Sequence, residues 1–206
     1  MSVILDLLVP PRCLGCLARS RDGLCTTCAA DLEDDGVPHR LAPGVLATAV
    51  FAYEDPLAGA IKRVKTDGMR EGARHLATII DPHLPRQVPR TWVPAPRRRA
   101  RRRGLDLPEV LAGPQATRLL SARAGRRDQG GLSAKDRRRS AIGAFEAHGR
   151  VPQRLVLVDD VRATGATLLA AARALQAAGA QRVLAITLAG AAGAPSAARQ
   201  AESGRW

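Results

Sequence analysis

Aromatic side chains are scarce, at 2% of 206 residues. Proteins that hold exposed bases do so on aromatic platforms, so a binder that reads single-stranded RNA by stacking is disfavoured from the outset. No run of about 18 apolar residues occurs, which excludes a membrane-spanning helix. The opening stretch of residues 1–9 is apolar but short, lacks a basic lead, contains Asp6 and stops at Pro10 and Pro11, so it does not read as a secretory signal. A cytoplasmic protein without membrane insertion is the expectation. Lysine is confined to Lys62, Lys65 and Lys135. The G-x-x-x-x-G-K-[ST] loop is absent, leaving nucleoside-triphosphate hydrolysis of that class without support. The four histidines, His39, His75, His83 and His148, are scattered and form no catalytic constellation.

What is abundant is arginine. The formal net charge is +13, from 32 basic and 19 acidic residues. A GC-rich genome explains the type of base, but not its excess over acid. The excess points to anionic partners: nucleic acid, a phosphorylated small molecule, or both. Hydrophobic residues at 46% and charged residues at 25% are ordinary globular composition. The length suits one main domain with a small appendage, and the patterns below divide it into residues 1–40, 41–190 and a mobile tail, 191–206.

All four cysteines lie in two C-x-x-C pairs, Cys13 with Cys16 and Cys25 with Cys28, separated by eight residues. Each pair can present two thiolates from one tight turn, and two turns complete a tetrahedron around Zn²⁺. Four thiolates leave no open position, so the metal is expected to be structural. Disulfides are the weaker reading in a reducing compartment. A redox dithiol is weaker still, because neither pair follows a strand in a βαβ pattern.

Near the C-terminus, residues 154–158 (R-L-V-L-V) form a continuous apolar run that reads as a buried parallel strand. Asp159 and Asp160 follow, then a loop over 161–166, then a helix over about 167–178 ended by Gly179, then a second strand over 183–188. This is a βαβ unit of an open α/β sheet, whose ligand belongs at the carboxyl end of the first strand. Ala163, Thr164, Gly165, Ala166 and Thr167 offer small side chains, hydroxyls and backbone N–H groups at a helix N-terminus, a natural phosphate cradle. Two carboxylates beside such a cradle would repel phosphate unless they faced something else. A ribose supplies it, since its 2′ and 3′ hydroxyls can donate to carboxylates. The combination reads as a 5-phosphoribosyl site.

The run V-L-V-D-D-V-R-A-T-G-A-T resembles the phosphoribosyl-pyrophosphate (PRPP) signature of type I phosphoribosyltransferases. The order of parts, zinc knuckle first and signature last, resembles the ComF family in particular. P-P-R-C-L-G-C over 10–16, Y-E-D-P-L-A-G-A over 53–60, residues 61–68, W-V-P-A-P over 92–96 and residues 131–143 sit where that family places its segments. The resemblance spans residues 5–188. It implies an α/β fold: a type I phosphoribosyltransferase-like open, mostly parallel sheet flanked by helices, with a small N-terminal zinc knuckle of four cysteines.

The same resemblance organises the middle of the chain. Residues 45–53 alternate and read as a strand, and Asp55 and Pro56 open a helix with proline at its first position. Lys65, Thr66, Asp67 and Gly68, with Lys62 and Arg63 before them, fall at the family's pyrophosphate loop. A solvated helix end with dipole-favoured bases is the alternative. Arg97, Arg98, Arg99, Arg101, Arg102 and Arg103 follow a short strand over 91–93 and occupy the region of the mobile loop that closes over PRPP. Such an arm can close on pyrophosphate, track a DNA backbone, or simply be solvated. Arg137–Arg139 extend the basic character.

Departures from the family pattern are specific. R-G-F-N-Q is replaced by R-G-L-D-L over 103–107, the first of two signature threonines is Ala163, and an asparagine is Ser140. The resemblance implies a PRPP-binding protein that transfers phosphoribosyl to a nitrogenous acceptor with release of pyrophosphate, Asp159 and Asp160 being the catalytic pair and Mg²⁺ accompanying PRPP. The alternative it implies is a non-catalytic factor that handles single-stranded DNA during natural competence, with PRPP as ligand and DNA-uptake proteins as partners. No general base and no acceptor signature is legible.

Overall fold

The computed structural model describes residues 11–96, 104–123 and 143–191. The arginine run at 97–103, Arg137–Arg139 and residues 192–206 lie outside the described residues. Its centre is a five-stranded sheet of β1 (His39–Ala42), β2 (Val45–Ala52), β3 (Arg90–Trp92), β6 (Arg154–Arg162) and β7 (Arg182–Gly190), ordered β1-β2-β7-β6-β3. β1 runs antiparallel to β2, and the remaining pairings are parallel. The expected mixed α/β architecture with a mostly parallel sheet is therefore the one observed. A separate antiparallel pair, β4 (Leu120–Ala122) and β5 (Phe145–Ala147), lies beside it.

The central stretches of the buried strands are apolar, as a sheet covered on both faces requires, and the buried polar residues of β6 gather at its carboxyl end, at Asp159, Asp160 and Arg162. Leu155, Val156, Leu157 and Val158 are all fully buried. Their alternation sends Val156 and Val158 into one core and Leu155 and Leu157 into the other. The first core is closed by α2 (Leu57–Asp67), α3 (Arg70–Ile80) and α4 (Leu107–Ala112), through residues such as Leu57, Ile61, Val64, Leu76, Ile80 and Leu111. In α2, positions 57, 58, 60, 61 and 64 are buried, an i, i+3, i+4 stripe. The second core is closed by α5 (Ala166–Ala177) and the small hairpin, through Leu168, Ala171, Leu175, Leu120 and Phe145. Among the described residues no helix is long and apolar enough to cross a membrane.

β6 is longer than its apolar run predicts. It continues through Asp159 and Asp160 to Arg162, because ladder pairing with β7 carries on to Arg162 opposite Gly190. The expected six-residue loop thereby shrinks to residues 163–165. Pro56 stands at the cap of α2 rather than inside it, and the helix ends at Gly68 in the left-handed conformation, φ 64°, with its N–H bonded to Val64 O.

The cysteine segment is not a free appendage. Cys13, Leu14, Leu24 and Cys28 belong to the same buried cluster as α2 and α3. Thr26–Ala30 forms a short helix, α1, that carries Cys28. Close approach is enforced where side chains are missing: a Cβ on Gly72 of α3 would meet Leu14 Cδ2 at 3.2 Å and Val64 Cγ2 at 2.8 Å.

Candidate functional site: the carboxyl end of the sheet and the four-cysteine cluster

The four Sγ atoms of Cys13, Cys16, Cys25 and Cys28 lie within 4.8 Å of one another. Cys16 Sγ and Cys25 Sγ are 3.6 Å apart, near the spacing that tetrahedral Zn–S bonds of about 2.3 Å produce. Cys13 Sγ accepts N–H bonds from Gly15 (3.3 Å) and Cys25 (3.2 Å). Burial pushes the Cys13 thiol up, but the backbone N–H groups of Cys25, Cys16 and Gly15 more than offset it and hold it at about 6. Burial, then the neighbouring thiols, push Cys28 up to about 12. Four thiols this close cannot all ionise without a cation among them. The donor set, spacing and N–H···S bonds fit a zinc ion held as a closed structural site.

Asp159 and Asp160 stand near the carboxyl end of β6. Successive strand residues point to opposite faces, so the pair is split. Asp160 looks toward α2, where its Oδ1 is 2.7 Å from Lys65 Nζ. Asp159 looks toward the α5 side, in register with the buried Thr187 of β7, and its Oδ1 accepts the N–H of Asp160 at 2.8 Å. Burial, and then the charge of Asp160, raise the Asp159 carboxyl well above the ordinary range and favour its protonated form.

Three residues turn the chain from β6 into α5. Gly165 is the N-cap, left-handed at φ 75°, and a Cβ there would lie 3.0 Å from Leu41 Cδ2 of β1. Thr164 Oγ1 accepts the Ala166 N–H at 3.4 Å, and the N-cap residue itself, Gly165, makes no side-chain cap. The next amides of the first turn, those of Thr167 and Leu168, are left to an anion. The expected pyrophosphate residues Lys65, Thr66 and Asp67 form the last turn of α2 rather than a loop, with Gly68 as the turn out. Of that group, Lys65 is the one the fold joins to the aspartates. Arg97, Arg98, Arg99, Arg101, Arg102 and Arg103 lie outside the described residues.

Two features go beyond the sequence reading. Asp106, the N-cap of α4, takes the Ala95 N–H on both oxygens (3.4 and 3.2 Å) instead of capping its own helix. Burial raises its carboxyl to about 6, helped by Glu109 and Asp160 and opposed by the Ala95 N–H and Arg118. Its signal in the sequence is the aspartate in R-G-L-D-L, which by itself reads only as the loss of an amide. The second is an ion pair between the buried Arg162 and the half-buried Asp35, Nη2 to Oδ2 at 2.9 Å, joining residues 127 apart. No local pattern could have shown it.

Residues 148–202 match the family model described as phosphoribosyl transferase domain. The matched stretch contains β6, the 163–165 turn, α5 and β7, and it supports a phosphoribosyltransferase-type family for that unit. A comparison with curated proteins finds no match.

Proposed function

We propose that the protein binds PRPP at the carboxyl end of β6 and transfers its phosphoribosyl group to a nitrogenous acceptor. The observation that carries the reading is the convergence of three parts at one sheet end. They are the N-terminus of α5 behind Gly165, an N-cap without a side-chain cap, the aspartate pair at 159–160, and the Lys65 ammonium 2.7 Å from Asp160. The 5-phosphate would sit on residues 163–167, its charge favoured by the helix N-terminus. The ribose hydroxyls would meet Asp159 and Asp160. The pyrophosphate would lie toward Lys65 and Gly68, where a cation suits a leaving group bearing several charges.

Transfer breaks the C1′–pyrophosphate bond and forms a C1′–N bond, and the developing cationic sugar gains from the Asp160 carboxylate. The carboxylates are already engaged, Asp160 by Lys65 and Asp159 by the Asp160 N–H. They do not make a ready metal site, so Mg²⁺ is expected to arrive as the counter-ion of pyrophosphate, and no step is assigned to it. Zn²⁺ in the cysteine cluster supplies folding energy rather than chemistry.

Calorimetric titration of magnesium PRPP into zinc-replete protein tests the reading. Binding should be saturable, and the Asp159→Asn/Asp160→Asn double variant should abolish it. Wild-type protein that gives no heat of binding would overturn the site.

The net charge of +13, with the N-terminal four-cysteine cluster, favours a second reading: a cytoplasmic ComF-type factor handling single-stranded DNA alongside DNA-uptake proteins, with PRPP as ligand. It requires DNA affinity that falls steeply with salt and with neutralisation of Arg97–Arg103. Affinity indifferent to both would exclude it.

A further inference from the structure

The segment between the cysteine cluster and the sheet is tied down beside the 163–165 turn. Ala52 N–H donates to Glu33 O at 2.8 Å and Asp35 N–H to Val50 O at 3.0 Å, so residues 33–35 run along β2. From there Asp35 reaches over the end of the sheet to Arg162, the last residue of β6, Oδ2 to Nη2 at 2.9 Å. Arg162 is 4% exposed. The guanidinium crosses β7 at Gly190, where a Cβ would collide with Asp35 Oδ2 and lie 2.8 Å from Arg162 Nη2. A side chain at 190 would thus close the lane the pair uses.

This pair is an expensive way to stabilise a fold. Desolvating a guanidinium offsets most of its attraction to a carboxylate, and Arg162 Nε is buried with no partner among the described residues. Nearby His39 gives no second counter-charge: burial and the Arg162 cation both disfavour its charged form, against a smaller pull from Asp35. What the pair does fix is direction. Arg162 O also accepts the Ala191 N–H at 2.9 Å, and the next residue, Ala163, begins the turn into α5. Leu41, farther along the same 35–42 stretch, packs against Gly165 at the turn's far end. One end of the turn therefore rests on the linker that leads out of the cysteine cluster, and the other on β1, the strand that linker feeds.

We propose that Asp35, acting through Arg162, is a positioning residue for the 163–166 turn and sets affinity for the ribose 5-phosphate end of the ligand, without touching the ligand itself. The inference rests on the phosphoribosyl reading. It predicts separable effects, because pyrophosphate is assigned to the α2 side of the site. Ribose 5-phosphate and magnesium pyrophosphate are titrated separately into zinc-replete wild type, Asp35→Ala, Arg162→Met and the double variant. Each single change should weaken ribose 5-phosphate about tenfold, and the double no more than either, since the two residues act as one unit. Pyrophosphate affinity should stay within about twofold and serves as the control for folding. Asp35→Asn, which keeps an oxygen acceptor for Arg162, should recover most of the loss. Unchanged ribose 5-phosphate binding in Asp35→Ala, or equal loss of both ligands in the folded Arg162→Met variant, would overturn the assignment of Asp35. Failure of the wild type to bind ribose 5-phosphate would instead overturn the phosphoribosyl reading, and this inference with it.

Discussion

Lys65 Nζ lies 2.7 Å from Asp160 Oδ1, and that contact fastens the last turn of α2 to the end of β6. The two side chains come from elements about 95 residues apart in sequence. A lysine in the last turn suits the negative end of a helix, and Gly68 stops the helix three residues later, leaving the ammonium at the mouth of the site. Lys65 balances Asp160, and on the proposed reading it has a second duty toward the pyrophosphate.

Removing the ammonium separates those duties. Lys65→Met leaves Asp160 beside Asp159 with no cation, and stability should fall by about 1–2 kcal/mol for a pair that is mostly but not fully buried. Magnesium pyrophosphate affinity should fall at least tenfold, read by calorimetry, while ribose 5-phosphate changes much less. Equal loss of both ligands would mean Lys65 holds the fold and not the pyrophosphate.

Asp106 makes stability depend on pH with a definite sign. Burial raises its carboxyl to about 6 in the folded chain, against an ordinary 3.8. An acid raised on folding takes up protons as the chain folds. Its contribution is complete below about pH 4 and is lost as pH rises through 6, where the charge must be carried in a largely buried place beside Glu109 and Asp160. The cost above pH 6 is about 1–2 kcal/mol after allowing for partial exposure. Asp106→Asn keeps an acceptor for the Ala95 N–H and removes the charge. Its melting temperature should exceed the wild type's by about 2–6 °C at pH 8 and by little at pH 4. A gain of the same size at both values would locate the effect elsewhere.

Gly165 is where backbone strain would reach the proposed phosphate site. At φ 75° a side chain is strained, and Leu41 stands 3.0 Å from where a Cβ would lie. Gly165→Ala should cost about 1–2 kcal/mol and tilt the first turn of α5, so ribose 5-phosphate should bind at least tenfold more weakly. Thermal melts and titration with the same preparation measure both.

Much of this could be read from residues alone. The apolar run before Asp159, the small residues after it and the two C-x-x-C pairs each have one dominant physical explanation. The structure differs where local and distant forces compete. Asp159 and Asp160 are poor strand formers, and read alone they end the strand; ladder pairing with β7 carries it on to Arg162 and thereby points the two carboxyls to opposite faces. The family resemblance puts Lys65 in a loop, with a helix end as the alternative, and the stripe through Leu57, Ile61 and Val64 makes it the helix end. The Asp35–Arg162 pair has no signature, since neither residue says which partner folding brings to it. Arg97–Arg103 remain a matter of sequence only.

The cysteine cluster should prove inseparable from the rest of the fold. Cys13, Leu14, Leu24 and Cys28 are buried with Leu57, Ile61, Val64 and Leu76, and Arg63 Nη1 of α2 donates to Leu14 O and to Gly15 O, the latter at 2.8 Å. Arg63 sits two residues before Lys65, so the turn that orders Cys13 and Cys16 is braced against the helix that carries Lys65. Structural zinc is worth about 10–16 kcal/mol of apparent binding energy in small zinc domains, comparable to the whole stability of a domain this size. Metal analysis should give one zinc per chain. Chelation, or Cys16→Ser, should lower the melting temperature by at least about 10 °C in a single transition and weaken magnesium pyrophosphate binding at the same time. A separate low-temperature transition that left pyrophosphate binding intact would show instead that the cluster folds as an independent unit and that Arg63 transmits nothing to Lys65.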